Sequence, residues 1–397
     1  MLHRKYIIEL VMFLSYALFA ASWVIGSILA PTITKDFGLQ SVTAATWATN
    51  AITIAKILGN LLAAWLLMKL KPKKAFALAS LLIVAAMLSA WVGNYSLYVV
   101  IRFIMGLGGA LMLVYFSPIV FYYFTPAQLP ILNGINISAF NLGNIFALSC
   151  TGSLLAILGA WQNIVIATSL ASLLFLLIWM IVGENFELNK VPQANTEQHT
   201  YTLRHGLKDK FNWLLPLTYT GFLFLFISMF SLFPIIPGFA VPGTHLSIVM
   251  LLSNTGGLFS GIVGAKIYPF RIPVMRYCGL LVTVFAVIMI TAETPAIVYT
   301  AAVLAGFFQA FPISCMLTLP LELPNMTPGR ATVIFGMLWS IAYLVETILM
   351  FIAGLLADYS GNMFTAAVFV VICSSTYFLG SFFLPETGKR KKNIPAS

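Results

Sequence analysis

Charge is what this chain has least of. Only 8% of its 397 residues are Asp, Glu, Lys or Arg, and just 11 of them are acidic. Soluble globular proteins carry about 25% charged residues, because their folds need a polar shell. The shortage excludes a soluble enzyme, a secreted disulfide scaffold, a fibrous protein and a disordered chain.

Cysteine and histidine are also scarce, with four of each. Cys150, Cys278, Cys315 and Cys373 all lie inside apolar segments and none belongs to a CxxC pair. Such cysteines are typically small packing residues rather than ligands. The histidines are too scattered for a metal site. We therefore expect no disulfide framework, no metal and no cofactor.

Long apolar runs fill the rest of the chain. Hydrophobic residues make up 60% of it, and its mean hydropathy is +0.98. A membrane-spanning helix needs about 20 mostly apolar residues. Twelve segments meet that length, which predicts an all-α, multi-pass membrane protein. They are 7–32, 43–68, 75–93, 96–124, 129–158, 162–183, 212–239, 246–267, 273–291, 295–320, 331–357 and 362–384.

The polar stretch 184–211 divides these spans into six and six. It holds eight charged residues and is interpreted as a linker between an N-terminal half, 1–183, and a C-terminal half, 212–397. Cytoplasmic loops of membrane proteins are enriched in Lys and Arg. If both termini are cytoplasmic, 18 of the 21 basic residues fall on that side, and only Lys35 falls in the opposite loops. The bias predicts this orientation in a bacterial cytoplasmic membrane, and it accounts for the net charge of +10 without a nucleic-acid partner.

Several motifs carry a resemblance to a known family. The segments 125–134 and 327–336 share Thr, Pro and Gly at a constant offset of 202. Residues 102–109 read RFIMGLGG, 159–162 read GAWQ, and 385–388 read PETG. These are similar to the RxxxGxGG pattern, the GWRW-type junction and the PETxG ending of major facilitator superfamily transporters. The resemblance covers the whole chain and implies two pseudo-symmetric six-helix bundles. A match of LPETG to a cell-wall sorting motif is interpreted as accidental, because the apolar span precedes it.

Within the superfamily, the chain resembles the cyanate/nitroimidazole-type anion porters. It departs from the family at the loop between spans 2 and 3, which usually reads GxxxDxxGRK. Here residues 69–74 read KLKPKK, so the basic pair is present and the Asp and Gly are absent. The family's Asp helps to latch the cytoplasmic side, which implies that this chain latches that side differently or more weakly.

Three ionisable residues lie well inside spans: Lys56, Arg102 and Glu346. A charge at mid-bilayer costs at least about 2.5–3.5 kcal/mol, so each is a functional candidate. Lys56 in span 2 and Glu346 in span 11 lie at similar depth, and the resemblance implies that these spans face each other. They are predicted to form an ion pair between the halves in at least one conformational state. Alternatively, Lys56 snorkels or meets a carbonyl, and Glu346 is protonated against a hydroxyl such as that of Thr347.

Arg102 has two interpretations that the sequence does not separate. It either attracts an anion into the cavity that span 4 is expected to line, or it is a structural residue bonded to helix carbonyls. The remaining candidates are neutral residues of the expected cavity-lining spans and their neighbours. They are Asn141, Asn144, Gln309, Tyr219 and Trp23.

The spans contain two basic residues and one acidic residue. This excess of positive charge favours a small polar, anionic solute. The function predicted is secondary transport by alternating access, with proton coupling as one option. Two alternatives stay open: efflux of drugs or metabolites by proton antiport, and transport of siderophores or metal chelates. Solute, lipids and protons are the expected partners, and the chain is expected to act as a monomer. A membrane-embedded enzyme is disfavoured, because no catalytic cluster of His, Asp or Ser lies inside the spans.

The topology can be tested with reporter fusions. An enzyme reporter that is active only in the cytoplasm should be active at the C-terminus and in the 184–211 linker, because Lys and Arg concentrate there. A fusion near Lys35 serves as the opposite-side control. A C-terminal fusion that reports the outer side would contradict the topology.

Overall fold

The computed structural model describes residues 2–124, 128–186, 203–324, 326 and 328–388. Among these residues there are helices and turns, and no strand. The α-helices are α1 (Leu2–Ile28), α2 (Ala30–Asp36), α3 (Val42–Val84), α4 (Tyr95–Tyr123), α5 (Leu129–Leu158), α6 (Trp161–Val182), α7 (Leu203–Lys208), α8 (Phe211–Ser231), α9 (Gly243–Ile267), α10 (Arg271–Thr291), α11 (Pro295–Ala310), α12 (Ile313–Thr318), α13 (Pro328–Ser360), α14 (Phe364–Ser374) and α15 (Thr376–Gly380). Short 3₁₀ turns occupy Ala85–Ala90, Phe233–Ile235 and Leu319–Glu322.

The all-α membrane architecture expected from the sequence is confirmed. Ten helical segments among the described residues are long and apolar enough to cross a membrane, and the apolar segment Phe364–Gly380 is shorter. The remaining predicted span, 43–68, is the first part of α3. Some predicted features fall outside the described residues: Thr125, Pro126 and Thr327 of the repeat, much of the linker, and the basic tail from residue 389 onward.

Helix α3 contains two predicted spans rather than one. Its 43 residues correspond to a rise of about 65 Å, twice what a bilayer needs. Lys71 interrupts it with non-helical torsion angles, φ 65° and ψ 156°. Pro72 follows, and a residue that precedes proline is disfavoured in the helical region. Positive φ is uncommon for a residue with a side chain. Lys71 therefore marks a true break between the two helical stretches.

The chain divides into two compact units. The first contains the described residues of Met1–Thr196 together with Phe230–Ile235 and Thr347–Thr365. The second contains those of Glu197–Met229, Ile236–Glu346 and Ala366–Ser397. The predicted division into halves at the linker stays a prediction. The first unit combines the six N-terminal spans with two short segments from beyond the linker.

Helix α4 carries the RxxxGxGG pattern, and its glycines permit close packing in the first unit. A Cβ added at Gly108 would lie 2.5 Å from the carbonyl oxygen of Ala79, and one added at Gly109 would overlap the ring of Phe19. Helix α4 therefore touches both α3 and α1 at distances that only glycine allows. This packing fixes the position of Arg102, which begins the pattern.

Apolar side chains cover the surface of the molecule. Ile157, Ile181 and Ile267 are each more than three-quarters exposed, at 79%, 80% and 78%. Polar residues such as Asn144 and Gln309 are instead almost fully buried. This distribution is the one expected for a protein whose solvent is lipid.

The PETG motif packs against helix α10 within the second unit. The Glu386 carboxylate accepts hydrogen bonds of 2.9 Å from the backbone N–H groups of Arg271 and of Ile272, at the start of α10. Thr387 Oγ1 donates to Glu322 at 3.0 Å, and Arg271 forms a 2.8 Å ion pair with the same carboxylate. The motif therefore caps a helix N-terminus.

Candidate functional site

Lys56 lies in a box of aromatic rings inside the first unit. Its ammonium group lies 4.7 Å from the ring centroid of Trp23 and 4.9 Å from that of Phe140. Lys56 is only 5% exposed. Ring faces attract cations at such distances, most strongly when water is excluded. The structure thus brings Lys56 of α3 together with Trp23 of α1, two residues that the sequence analysis selected separately.

A third ring completes the aromatic box. Phe230, at the end of α8, lies 5.3 Å from Trp23 and 5.6 Å from Phe140, in edge-to-face arrangements. Trp23 and Phe140 lie 5.8 Å apart, also edge to face. This geometry is favoured between aromatic rings. Trp23, Phe140 and Phe230 are named the aromatic box below.

Three buried polar side chains of the first unit lack a hydrogen-bond partner among the described residues. Neither the amide of Asn144 nor that of Asn50 makes a hydrogen bond within the described part of the chain, and the same holds for the indole N–H of Trp23. Phe140 and Asn144 are one helical turn apart, so they share a face of α5. Asn141, the residue after Phe140, is buried as well. Most buried polar groups in proteins are hydrogen-bonded, so these amides and the indole are candidates for contacting a solute or water.

Arg102 binds the backbone of α1 next to the box. Its two terminal nitrogens donate to the carbonyl oxygens of Ser22, at 2.9 Å, and of Trp23, at 2.8 Å. A Cβ at Gly26 would lie 2.6 Å from the guanidinium, so only glycine leaves room for it. In this conformation Arg102 holds the turn of α1 that carries Trp23. A direct role of Arg102 in solute binding stays a prediction.

Gln309 makes a comparable contact in the second unit. Its amide nitrogen donates to the carbonyl oxygen of Phe222 at 2.9 Å, and its oxygen accepts from Asn254 at 3.3 Å. The ring of Phe222 stacks on Tyr377 at 3.8 Å, and Tyr219 lies edge to face with Trp339 at 5.7 Å. Gln309 and Tyr219 therefore belong to a buried polar and aromatic cluster of their own unit.

Glu346 is fully buried in α13 and is the last residue of the segment Ile236–Glu346 of the second unit. The next residue, Thr347, belongs to the first unit, where its hydroxyl lies 2.7 Å from that of Thr53. Thr53 precedes Lys56 by three residues, about one turn of α3. The ion pair between Lys56 and Glu346 stays a prediction.

Sequence reasoning missed Phe140 and Phe230. Phe140 lies beside Asn141 and one turn from Asn144, so helical spacing from the amides could have suggested it. Phe230 carried no such signal, because phenylalanine is abundant in this chain, at 32 residues. Nothing in its local sequence distinguishes it from a lipid-facing ring.

Comparison with known proteins identifies the family. The model of the Major Facilitator Superfamily matches residues 11–345. The chain belongs to the Major Facilitator Superfamily. The resemblance carried by the motifs is therefore confirmed at the level of the superfamily, whereas the narrower likeness to anion porters stays a prediction.

Several known proteins resemble the chain in sequence or in fold. An uncharacterized protein of Campylobacter jejuni is 29% identical over 231 residues, which cover 58% of this chain and 70% of the relative. One from Mesomycoplasma hyopneumoniae is 20% identical over 401 residues and covers 86% and 80%. A bacterial homolog of the human lysosomal transporter Spinster, in an inward-facing and unoccupied conformation, has a TM-score of 0.72 at 14% identity, covering 96% and 97%. The inward-open xylose transporter XylE from E. coli has a TM-score of 0.72 at 17% identity, covering 98% of each chain. At these identities the structures show the superfamily fold alone.

The role of Arg102 can be tested by replacement. Arg102→Lys removes the planar fork that reaches two carbonyl oxygens, and a single ammonium cannot reproduce it. We expect the free energy of unfolding to fall by about 1.5–3 kcal/mol, measured by thermal denaturation of the purified protein. Arg276→Lys, at a half-buried arginine over the Phe382 ring, is the control and should change it less. A stable Arg102→Lys protein that has lost transport would instead place Arg102 in solute binding.

Proposed function

We propose that this protein is a secondary transporter that moves a small polar anion across a bacterial cytoplasmic membrane by alternating access. In this proposal Lys56 is the main partner of the anion, and Trp23 and Asn144 orient it. Both termini are cytoplasmic. Membership in the Major Facilitator Superfamily supports the transport class, and the arrangement around Lys56 supports the choice of solute.

The observation that carries the proposal is the buried ammonium of Lys56 in the aromatic box. Burying a lysine costs at least about 2.5–3.5 kcal/mol in a membrane. A desolvated cation–π contact returns about 2 kcal/mol. The two ring contacts of Lys56 together return a free energy similar to this cost, so the rings offset most or all of it. A carboxylate or similar anion is a stronger partner for an ammonium than a ring face is.

The unpartnered groups near Lys56 suit an anion as well. The indole N–H of Trp23 is a donor only, and the amide of Asn144 can donate two hydrogen bonds. Glu9 is the buried acid of the same unit, but it precedes Trp23 by 14 residues on α1, about 21 Å along the helix. At that distance Glu9 does not neutralise the Lys56 ammonium.

Efflux of drugs or metabolites is the alternative with a specific observation behind it. Trp23, Phe140 and Phe230 form an apolar wall that would accept an apolar solute body. An efflux substrate with a carboxylate would use the same residues. The direction of transport in vesicles distinguishes uptake from efflux, and the identity of the site does not depend on it.

The anion site can be tested by ligand stabilisation of the purified protein. We expect a series of organic monocarboxylates to include one that raises the unfolding temperature, whereas its neutral amide does not. At a hundred times the dissociation constant a ligand adds about 2.7 kcal/mol of stability. Lys56→Met should abolish the effect, and Lys56→Arg should keep part of it.

Lys35→Met is the matched control, because Lys35 is exposed on α2 and lies outside the box. Stabilisation by carboxylates that persists in Lys56→Met would contradict the proposal. So would stabilisation restricted to cations. Uptake or efflux of the stabilising compound in proteoliposomes would then establish transport.

The pairing of Lys56 with Glu346 is part of the same proposal. The hydrogen bond between Thr53 and Thr347 supports it, since these residues lie next to the proposed pair along their helices. Protonation of Glu346 would weaken the pair, which offers a route to proton coupling. Two oppositely charged groups can be buried as a pair, whereas a single buried charge without a partner is costly.

A double-mutant cycle tests this pair. Lys56→Met and Glu346→Gln should each impair transport, because each leaves its partner uncompensated. The double variant should recover part of the loss, with a coupling energy of about 0.5–3 kcal/mol in the conformational equilibrium. Strictly additive effects of the two replacements would rule out the pair and leave Glu346 as a separate protonatable site.

A further inference from the structure

Asp358, near the end of α13, binds the beginning of α3. Its carboxylate accepts hydrogen bonds from the backbone N–H groups of Val42, at 2.7 Å, and Thr43, at 3.0 Å. The hydroxyls of Ser41 and Thr43 donate to it as well, each at 2.6 Å. One carboxylate thus receives four hydrogen bonds from residues more than 300 positions away in the chain.

These contacts satisfy a helix terminus. The first four N–H groups of a helix lack partners within the helix, and the N-terminus carries a partial positive charge. The hydroxyl of Ser41 accepts from Ala44, as an ordinary N-cap does. The local sequence offers no acceptor to the backbone N–H groups of Val42 and Thr43. Asp358 supplies both acceptors. The start of α3 therefore depends on α13 for two of its hydrogen bonds.

A continuous line of contacts leads from Asp358 toward the depth of Lys56. A Cβ at Gly354 would lie 2.9 Å from Thr43 Cα, so the two backbones touch. Further along, the ring of Phe351 packs on Trp47 at 5.6 Å. The last contact is the 2.7 Å hydrogen bond between Thr347 and Thr53. We call this line the α3–α13 seam; its residues are Thr347, Phe351 and Gly354 of α13 with Thr53, Trp47 and Thr43 of α3.

The spacing shows that the seam follows one face of α13. Positions 347, 351, 354 and 358 recur at four, three and four residues, the period of a helix face. Their partners on α3 run in the opposite order, so the two helices are antiparallel along the seam. At its inner end the seam reaches Thr53, one turn of α3 before Lys56.

The seam is built from contacts that can separate. Its contacts are hydrogen bonds, ring packing and backbone contact. A cavity lined by Ser27, Thr46, Thr49 and Met350 adjoins it, with about 10 Å³ of space, room for one water molecule. Asp358 is exposed, so water can replace its four partners when they part. Hydrogen bonds that exchange for water have a small net free energy.

We propose that the α3–α13 seam is a gate on the route to Lys56 and that Asp358 is the latch at its end. When the gate opens, α13 leaves α3 and the carboxylate exchanges the four donors for water. This inference rests on the proposed alternating-access function. With the proposed topology, α3 begins at the outer face, so the latch closes the outer side.

Thiol labelling of purified protein tests the latch. Ser27 is 2% exposed and lines the cavity beside the seam, so Ser27→Cys serves as the reporter. It is introduced after Cys150, Cys278, Cys315 and Cys373 have been replaced by alanine. In Asp358→Asn, which keeps the shape of the side chain and removes its charge, we expect maleimide labelling to become about tenfold faster. Thr43→Val should accelerate it less, because Thr43 supplies only one hydroxyl.

Asp36→Asn is the matched control. Asp36 is also an exposed acid, and it accepts a 2.7 Å hydrogen bond from Trp161, away from the seam. Labelling should stay at the parental rate in this variant. Equal rates in the parent, Asp358→Asn and Asp36→Asn would overturn the latch, and so would equal acceleration in both aspartate variants.

A second measurement covers the case in which the cysteine-free protein does not fold. Hydrogen exchange of Asp358→Asn with its native cysteines should rise along the whole seam, in 47–53 and 347–354. Faster exchange confined to 41–44 would mean that Asp358 only caps α3, and the gate would be rejected. Neither readout uses a solute, so an absent anion site would leave the test of the gate intact. Labelling intact cells with a membrane-impermeant maleimide then tests on which side the gate opens.

Discussion

The hydrocarbon core of a bilayer offers no water to a backbone group, so helices that cross it must find their partners within the protein. This chain meets that constraint in the same way in both of its units. In the first, Arg102 of the fourth span donates to backbone carbonyls of the first span, including that of Ser22. In the second, Gln309 of the tenth span donates to the carbonyl of Phe222 in the seventh. Corresponding spans are thus tied by a long polar side chain that binds the backbone of its neighbour. Charge is used in one unit and a neutral amide in the other, so the repeated element is the contact and not the residue.

The spans could be predicted from the sequence because a helix that crosses lipid requires a long apolar run. An apolar run of the right length has few other structures available, and every predicted span has a helix in the described residues. The residues at which the helices begin and end were less predictable. Segment 43–68 and most of 75–93 lie in the one helix α3, which is interrupted only at Lys71, since all four residues before Pro72 are good helix formers. Lys56, Trp23 and Asn144 could be selected because polar and amphipathic residues are rare in such spans.

The residues that contact Lys56 and the start of α3 could not be predicted from the sequence, for a physical reason. Phe140 and Phe230 are apolar residues in apolar spans, and composition cannot distinguish a ring facing Lys56 from one facing lipid. Asp358 lies near a helix end, where an acid is ordinary, and its donors are more than 300 residues away. Contacts of that kind depend on which helices pack together. A single sequence contains no local signal for such packing.

The two ends of the first stretch of α3 explain the departure from the family's loop motif. At the position of the family's acid this chain has Lys69. Neutral contacts lie close to that end: Trp179 donates to the carbonyl of Lys73 at 2.9 Å, and its ring packs on Phe76 at 4.2 Å. At the opposite end Asp358 receives four hydrogen bonds. A contact shifts a conformational equilibrium only by the difference in its free energy between the two states. Under the proposed gate, the four hydrogen bonds of Asp358 bias the resting transporter toward the state in which Asp358 is bound, and a solute or proton must supply the free energy to leave it.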